Sequence, residues 1–305
     1  MANWQYDEEA KTAMKLAYHV VDVFTTMPFE GNALAVFPDA TGVDSATMQR
    51  IARELNLAET SFILPRESSA AATRVRIFTP AQEMEFAGHP TLGTAYMMRK
   101  LRIVSPEVTS FALEENVGLV PVRVDSGDNP KLWLQTPPIR SLGVVDRGLC
   151  AAALSLGEQD LLEGVMPEGL TAGNPGVFVA VRDAATVDRA IVDTRALFEL
   201  LRSCEHSDIL FVFAPVESGA YSRMFAPELG VVEDPATGSA TGPLAAYMMK
   251  HGLVPHTDGT TFVSEQGTKM GRRSLLHVLI RGDHGRDAIE IGGNVTYLTT
   301  AEMIF

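Results

Sequence analysis

Cysteine is scarce in this 305-residue chain, which contains only Cys150 and Cys204. Two cysteines exclude a disulfide framework and a cysteine-rich zinc site, and they are typical of proteins in a reducing cytoplasm. The seven histidines are scattered, without an HExxH motif or a pair at metal-ligand spacing. The sequence therefore predicts no metal site.

Positive charge is also in deficit. The chain carries 25 Lys and Arg against 38 Asp and Glu, a formal net charge of −13, and the basic residues form no cluster. This balance argues against nucleic acid or an anionic membrane surface as a partner. No apolar run approaches the about 20 residues that span a bilayer, and the polar, acidic start is the opposite of a signal peptide. We expect a cytoplasmic protein.

A loop of small residues leads into an apolar segment late in the chain. Residues 233–243 read EDPATGSATGP, and residues 244–249 continue without a polar face. Pro243 suits the first position of a helix, and a helix that is apolar all round is normally buried. A buried helix N-terminus behind a Gly/Ser/Thr loop can bind an anion. The alternative is a core helix with a tight lead-in.

The second half of the chain repeats the first. Five short segments recur in the same order, with an offset that grows from 142 to 151 residues as loops lengthen. Such a long single period predicts a duplicated domain rather than a solenoid. The matched segments are 31–32 with 173–174, 39–40 with 183–184, the helix-opening 43–44 with 187–188, 78–80 with 225–227, and 96–98 with 247–249.

The duplication predicts an α+β fold of two pseudo-symmetric lobes, each a curled, mostly antiparallel sheet around a central apolar helix. We expect a mobile lead-in over 1–14, a first lobe over 15–136 completed by C-terminal strands at 288–305, and a second lobe over 137–287. If the lobes face each other, the helix N-termini at Pro90 and Pro243 converge on one cleft. Two positive helix ends favour a carboxylate there.

Four side chains near this predicted cleft have two interpretations each. Glu59 is a solvated residue at a strand start, or a desolvated carboxyl with the raised pKa of a general acid/base. His89, directly before Pro90, caps the helix or binds a ligand. Asp234 shapes an Asp-Pro turn or belongs to the site. Ser239 is a loop hydroxyl or a ligand contact, but its surroundings are not the G-x-S-x-G of hydrolases.

Several motifs resemble those of the phenazine-biosynthesis isomerase (PhzF-like) family, in order along nearly the whole chain. They are Gly31-Asn32, AETSF at 58–62, FAGHPTLG at 86–93 and EDPATGSA at 233–240. The AGHPTLG and EDPATGSA strings are highly specific. The resemblance implies the two-lobed fold of diaminopimelate epimerase, which agrees with the duplication.

The resemblance also implies a site and a reaction. The family's best-understood member isomerises trans-2,3-dihydro-3-hydroxyanthranilate without a cofactor, and family members form homodimers. Its acid/base glutamate matches Glu59, and its other cleft residues match His89, Asp234 and Ser239. Gly88 and Gly238 complete a carboxylate pocket, with Thr237 and Asn32 as further substrate-binding candidates. The implied chemistry is a proton shift between two carbons of a small carboxylated metabolite.

Related epimerases place a thiol at each of the two loops, where this chain has Ala87 and Thr237, so a two-thiol racemase is not expected. Residues 271–274 read GRRS where the family usually has GRPS, and this departure bears on the shape of that loop. Two alternatives to an isomerase remain: a binding protein that keeps the anion pocket without chemistry, and a hydration or lactone-opening enzyme that uses the same cleft.

Overall fold

The computed structural model describes residues 14–204, 207–282 and 288–305. Within these ranges it contains six α-helices and eighteen strands of one mixed sheet, and this α+β architecture is the predicted class. The helices are α1 Ser45–Leu55, α2 Gly88–Lys100, α3 Arg147–Ala153, α4 Ala184–Arg189, α5 Thr194–Ser203 and α6 Gly238–Lys250.

The strands are β1 Lys15–Val23, β2 Asn32–Phe37, β3 Glu59–Leu64, β4 Thr73–Phe78, β5 Glu83–Met84, β6 Ser110–Glu115, β7 Gly118–Val124, β8 Leu132–Gln135, β9 Arg140–Val144, β10 Glu168–Thr171, β11 Gly176–Ala180, β12 Ile209–Val216, β13 Gly219–Ala226, β14 Val231–Asp234, β15 Thr261–Gln266, β16 Ser274–Arg281, β17 Ala288–Gly293 and β18 Val295–Ile304.

Strand pairing confirms the duplication. The first half runs β18-β1-β2-β3-β4-β6-β7-β8, and the second half runs β9-β10-β11-β12-β13-β15-β16-β17. In both orders the third strand is parallel to the fourth and the fifth is parallel to the sixth, and the other pairs are antiparallel. The short strands β5 and β14 pair with β4 and β13 at matching places. Pairing of β8 with β17 joins the halves.

Each half curls around one apolar helix, α2 in the first and α6 in the second. Most residues of both helices are buried, as predicted from the absence of a polar face. Their side chains belong to one hydrophobic cluster that draws on strands of both halves. The outer helix α1 buries Met48, Ile51 and Ala52 against the other face of the sheet, and the side chain of its N-cap, Asp44, accepts from the Thr47 N–H.

The predicted helix starts at Pro90 and Pro243 are wrong. Helix α2 begins at Gly88 and α6 begins at Gly238, so Pro90 is the third residue of its helix and Pro243 is the sixth. Proline at a third position costs nothing because the first N–H groups of a helix have no partner within it. At Pro243 the missing N–H removes a helical donor to the carbonyl of Ser239.

The predicted recurrence of a helix opening at residues 187–188 is also wrong. Helix α4 is capped by Asp183, whose side chain accepts from the Thr186 N–H, so that pair lies inside the helix. An aspartate in the preceding loop, rather than the matched Val-Asp pair, therefore begins the helix.

The last strands connect with both halves. Strand β18 pairs with β1 along its length, while β17 pairs with β16 and β8. The lobe boundaries stay predictions. Of the expected lead-in, residues 1–13 lie outside the described residues. No helix in the described ranges is long and apolar enough to cross a membrane.

Candidate active site

The N-termini of α2 and α6 touch, which confirms their predicted convergence. A Cβ on Gly88 would lie 2.8 Å from the backbone of Gly238, and a Cβ on Gly238 would lie 3.1 Å from the Cα of Gly88. Glycine at both positions lets the two backbones approach this closely. Two helix ends with free N–H groups then face one space, which favours an anionic ligand. The N-caps are Ala87 and Thr237.

A narrow cavity lies between the two halves at this contact. It brings together seven of the eight predicted site residues, and the eighth, Asn32, lies directly behind them and is hydrogen-bonded to two of them. The seven lining residues are Glu59, Gly88, His89, Asp234, Thr237, Gly238 and Ser239.

Glu59 and His89 face each other in this cavity. Glu59 Oε2 lies 3.3 Å from His89 Nε2, yet neither atom has a hydrogen bond of good geometry and both are buried. Burial, followed by the nearby charge of Asp234, raises the pKa of Glu59 well above its usual value. Burial lowers the pKa of His89 to about 3. Near neutral pH the histidine is therefore uncharged, and the contact is not an ion pair.

Asn32 holds Asp234 and His89 in place. Its Nδ2 donates to Asp234 Oδ1 at 2.7 Å and to the carbonyl of Ala236 at 3.0 Å, and it lies 3.3 Å from His89 Nδ1. Because the amide nitrogen of Asn32 cannot accept a hydrogen bond, a proton on Nδ1 would have no acceptor there, so the uncharged imidazole carries its proton on Nε2, the nitrogen nearest Glu59. His89 can thus donate a hydrogen bond to an ionised Glu59 or to a ligand.

Asp234 is the second buried carboxyl of the cavity. Thr237 Oγ1 donates to its Oδ2 at 2.6 Å. Burial raises the pKa of Asp234 to about 6, although the hydrogen bonds from Thr237 and Asn32 act in the opposite direction. A negative charge on Asp234 disfavours a second negative charge on Glu59.

Sequence analysis missed two residues that support the site. Gln266 donates from Nε2 to the Asp234 carbonyl at 2.7 Å and to Thr237 Oγ1 at 2.9 Å, and its Oε1 accepts from the Thr237 N–H. Asn174 donates to Ser239 Oγ at 3.2 Å. The recurrence of Gly31-Asn32 as 173–174 was a signal for Asn174. No motif marked Gln266.

The GRRS segment holds the turn that carries Asn32. The Arg272 guanidinium binds Asp22 Oδ1 at 2.6 Å and donates to the Gly31 carbonyl at 2.9 Å, directly before Asn32. Arg273, the residue that departs from the usual motif, instead pairs with Glu265 at the surface. The side chain at the departing position is therefore not among those that line the cavity.

Comparison with known proteins assigns this architecture. The family model described as phenazine biosynthesis-like protein matches residues 21–301. The chain belongs to this family. It is 35% identical over 281 residues to the trans-2,3-dihydro-3-hydroxyanthranilate isomerase of Pseudomonas aeruginosa, covering 91% of this chain and 95% of that one. The chain is accordingly an isomerase of the phenazine biosynthesis-like family.

Solved structures extend the comparison at the level of the fold. A PhzF-family protein from Bacillus anthracis has a TM-score of 0.85 at 24% identity, covering 96% of this chain and all (100%) of that one. A hydroxyproline epimerase from Agrobacterium vitis has a TM-score of 0.67 at 13% identity, covering 95% of this chain and 93% of that one. The predicted epimerase-like fold is thus confirmed.

Proposed function

We propose that this isomerase moves a proton between two carbons of a small carboxylated metabolite, with Glu59 as the acid/base and without a cofactor. One observation carries the proposal: a buried carboxyl oxygen without a hydrogen-bond partner faces a cavity entered by two helix N-termini. The helix ends suit a substrate carboxylate, and the free oxygen of Glu59 suits a reacting C–H bond.

The pKa of Glu59 fits this role. A carboxyl whose pKa is raised by burial is a stronger base when ionised, and because it can hold a proton at higher pH than an ordinary carboxyl, the same group can also serve as the acid. One carboxyl can perform both steps when the substrate is held rigidly in a dry site. Uncharged His89 donates from Nε2 and steadies the ionised form of Glu59 when the two side chains align.

Asp234 and Ser239 complete the proposed site on the opposite side of the cavity. Asp234, held by Asn32 and Thr237, is placed to accept from a hydroxyl or amino group of the substrate. The hydroxyl of Ser239 lies at the start of α6, beside the backbone N–H groups that favour a carboxylate.

The first experiment follows the proton. The compound to test is trans-2,3-dihydro-3-hydroxyanthranilate, on which the P. aeruginosa relative is named as acting. In deuterated water the enzyme is expected to place deuterium in the product, while Glu59→Gln loses both exchange and turnover. The control is Glu54→Gln, which changes an exposed carboxyl on α1 and is expected to keep full activity.

The mass of the product separates the alternatives. An isomer has the mass of its substrate apart from exchanged deuterium, whereas a hydrated or hydrolysed product gains a water. A binding protein stabilises against heat when the compound is added but exchanges no proton. Full exchange in Glu59→Gln would remove Glu59 from the reaction.

Two further parts of the proposal rest on the resemblance. Enzyme dialysed against a chelator is expected to keep its full rate without any added cofactor. The protein is expected to be a homodimer, which light scattering on a sizing column measures.

A further inference from the structure

Glu115 is a buried carboxyl outside the proposed reaction. It is the last residue of β6, it is 3% exposed, and its Oε2 is buried without a hydrogen-bond partner. Its other oxygen, Oε1, lies 2.6 Å from the hydroxyl of Thr91 in the first turn of α2. This is the turn that carries Gly88 and His89 into the cavity.

A count of protons bears on the state of this carboxyl. Thr91 Oγ1 lies 2.7 Å from the carbonyl of Ala87 and 2.6 Å from Glu115 Oε1, but a hydroxyl has a single proton to donate. If Thr91 donates to Ala87, the short contact with Glu115 needs a proton from the carboxyl. An uncharged carboxyl satisfies both contacts in one chain, from Glu115 through Thr91 to Ala87.

The second half of the molecule places an amide at the same position. Gln266 is the last residue of β15, the counterpart of β6, and it binds the turn before α6 through three hydrogen bonds. Thr241, the fourth residue of α6 as Thr91 is of α2, likewise donates to the carbonyl of its N-cap residue, Thr237. The two halves therefore share a strand-end side chain that holds a helix start.

We propose that Glu115 is a positioning residue that, as an uncharged acid, fixes the first turn of α2 as Gln266 fixes the start of α6. The proposal concerns the placement of Gly88 and His89 and does not depend on which substrate the enzyme turns over. Ionisation of Glu115 breaks the chain of hydrogen bonds, because a carboxylate has no proton to donate to Thr91.

The surroundings of Glu115 support this state near neutral pH. Burial raises the pKa of Glu115 to about 8, with smaller opposing effects from the Thr91 hydroxyl and from the charge of Arg74 on β4. Its cross-strand neighbour on β7 is Gly118. The next carboxyl on its own strand, Glu114, is turned away and accepts from backbone N–H groups in the loop before β4.

The first test measures melting temperature against pH. The carboxyl has a usual pKa of 4.5 and a folded-state pKa of about 8, so the folded protein holds a proton that the unfolded chain has lost between these values. The contribution of this carboxyl to the free energy of unfolding therefore falls as pH rises through that window. Glu115→Gln lacks this loss, so its melting temperature is expected to match the wild type near pH 5 and to exceed it near pH 8.

The neighbouring Glu114→Gln is the matched control. Backbone N–H groups from Ser68 and Glu67 lower the pKa of Glu114, so it is ionised throughout this pH range. Any change in melting temperature from Glu114→Gln is therefore expected to be equal at both pH values. An equal difference at both pH values for Glu115→Gln as well would overturn the uncharged state.

The second test measures position rather than stability. Near pH 8, amide hydrogen exchange over residues 88–92 is expected to be slower in Glu115→Gln than in the wild type, because the amide keeps a donor for Thr91. Exchange over residues 238–242, held by Gln266, is expected to be unchanged. Equal exchange of 88–92 in both proteins, or a change of the same size in both segments, would contradict a positioning role for Glu115.

Discussion

The two halves of the cavity have the same backbone plan and different chemistry. Glu59 begins β3 and pairs with the residue two places after Asn32, while Ile209 begins β12 and pairs with the residue two places after Asn174. Both side chains line the cavity. The position that is a carboxyl in the first half is therefore apolar in the second.

The reverse difference is found at a second pair of equivalent positions. Met84 on β5 lies across from Ile77, and Asp234 on β14 lies across from Met224, at matching places in the two halves. Here the second half supplies the carboxyl. Each half thus contributes one acid to the cavity, and it has an apolar side chain at the position where the other half has its acid.

This asymmetry has an electrostatic reason. Carboxyls at all four positions would place like charges together without solvent, which is costly. Ile209 and Met84 instead add no charge to the cavity, and desolvation is the largest cause of the raised pKa of Glu59. Duplication supplied the two helix ends, while divergence of single side chains supplied one acid/base.

The largest expected effect comes from moving the acid between the halves. Glu59→Gln is expected to lower kcat roughly 10²–10⁴-fold, the range for loss of a general acid/base. Adding Ile209→Glu to this variant is expected to recover no activity. The second half has Ser239 at the position equivalent to His89, so a carboxyl at position 209 would lack the histidine. The measurement is turnover of trans-2,3-dihydro-3-hydroxyanthranilate by folded variants. Recovery of the rate would show that the two positions are equivalent.

A smaller effect is expected where the helices touch. Gly88→Ala is expected to lower the free energy of unfolding by about 1–3 kcal/mol, because its Cβ would meet the Gly238 backbone, which cannot turn aside. Gly238→Ala is expected to cost less, since its Cβ has slightly more room. Urea unfolding of the two variants measures both values. Equal losses would mean that the contact is symmetric after all.

The smallest effect is a displacement of the pH profile without loss of the acid/base. The charge of Asp234 helps to raise the pKa of Glu59, so Asp234→Asn is expected to lower the Glu59 pKa. If Glu59 must be ionised to begin the reaction, the acid limb of kcat/KM then moves to lower pH. The mirror variant Met84→Leu is expected to leave the limb in place. An acid limb that does not move in Asp234→Asn would show that the charge of Asp234 does not raise the pKa of Glu59.

Much of the fold was predictable because its signals are local or repeated. The burial of α2 and α6 follows from the absence of a polar face in two short segments. The duplication was visible as matched pairs such as Gly31-Asn32 and 173–174. The site residues of the two specific motifs were named from the resemblance, and the structure places them around one cavity.

The helix starts were mispredicted for a local reason. Proline is common at the first position of a helix but is tolerated throughout the first turn, so Pro90 did not mark the start. Pro243 lies deeper, where packing of α6 in the core outweighs one lost hydrogen bond. The short, small residues of 238–242 read as loop in sequence and are helical in the buried setting.

Residue pattern alone thus determined the fold class and the duplication, because these depend on local composition and on internal similarity. Tertiary structure decided which distant side chains meet. The hydrogen bonds of Asn32 with Asp234, Asn174 with Ser239 and Gln266 with Thr237 span 202, 65 and 29 residues. The first of these contacts arises from packing the two halves together, the other two arise from the folding of the second half, and no local pattern encodes any of them.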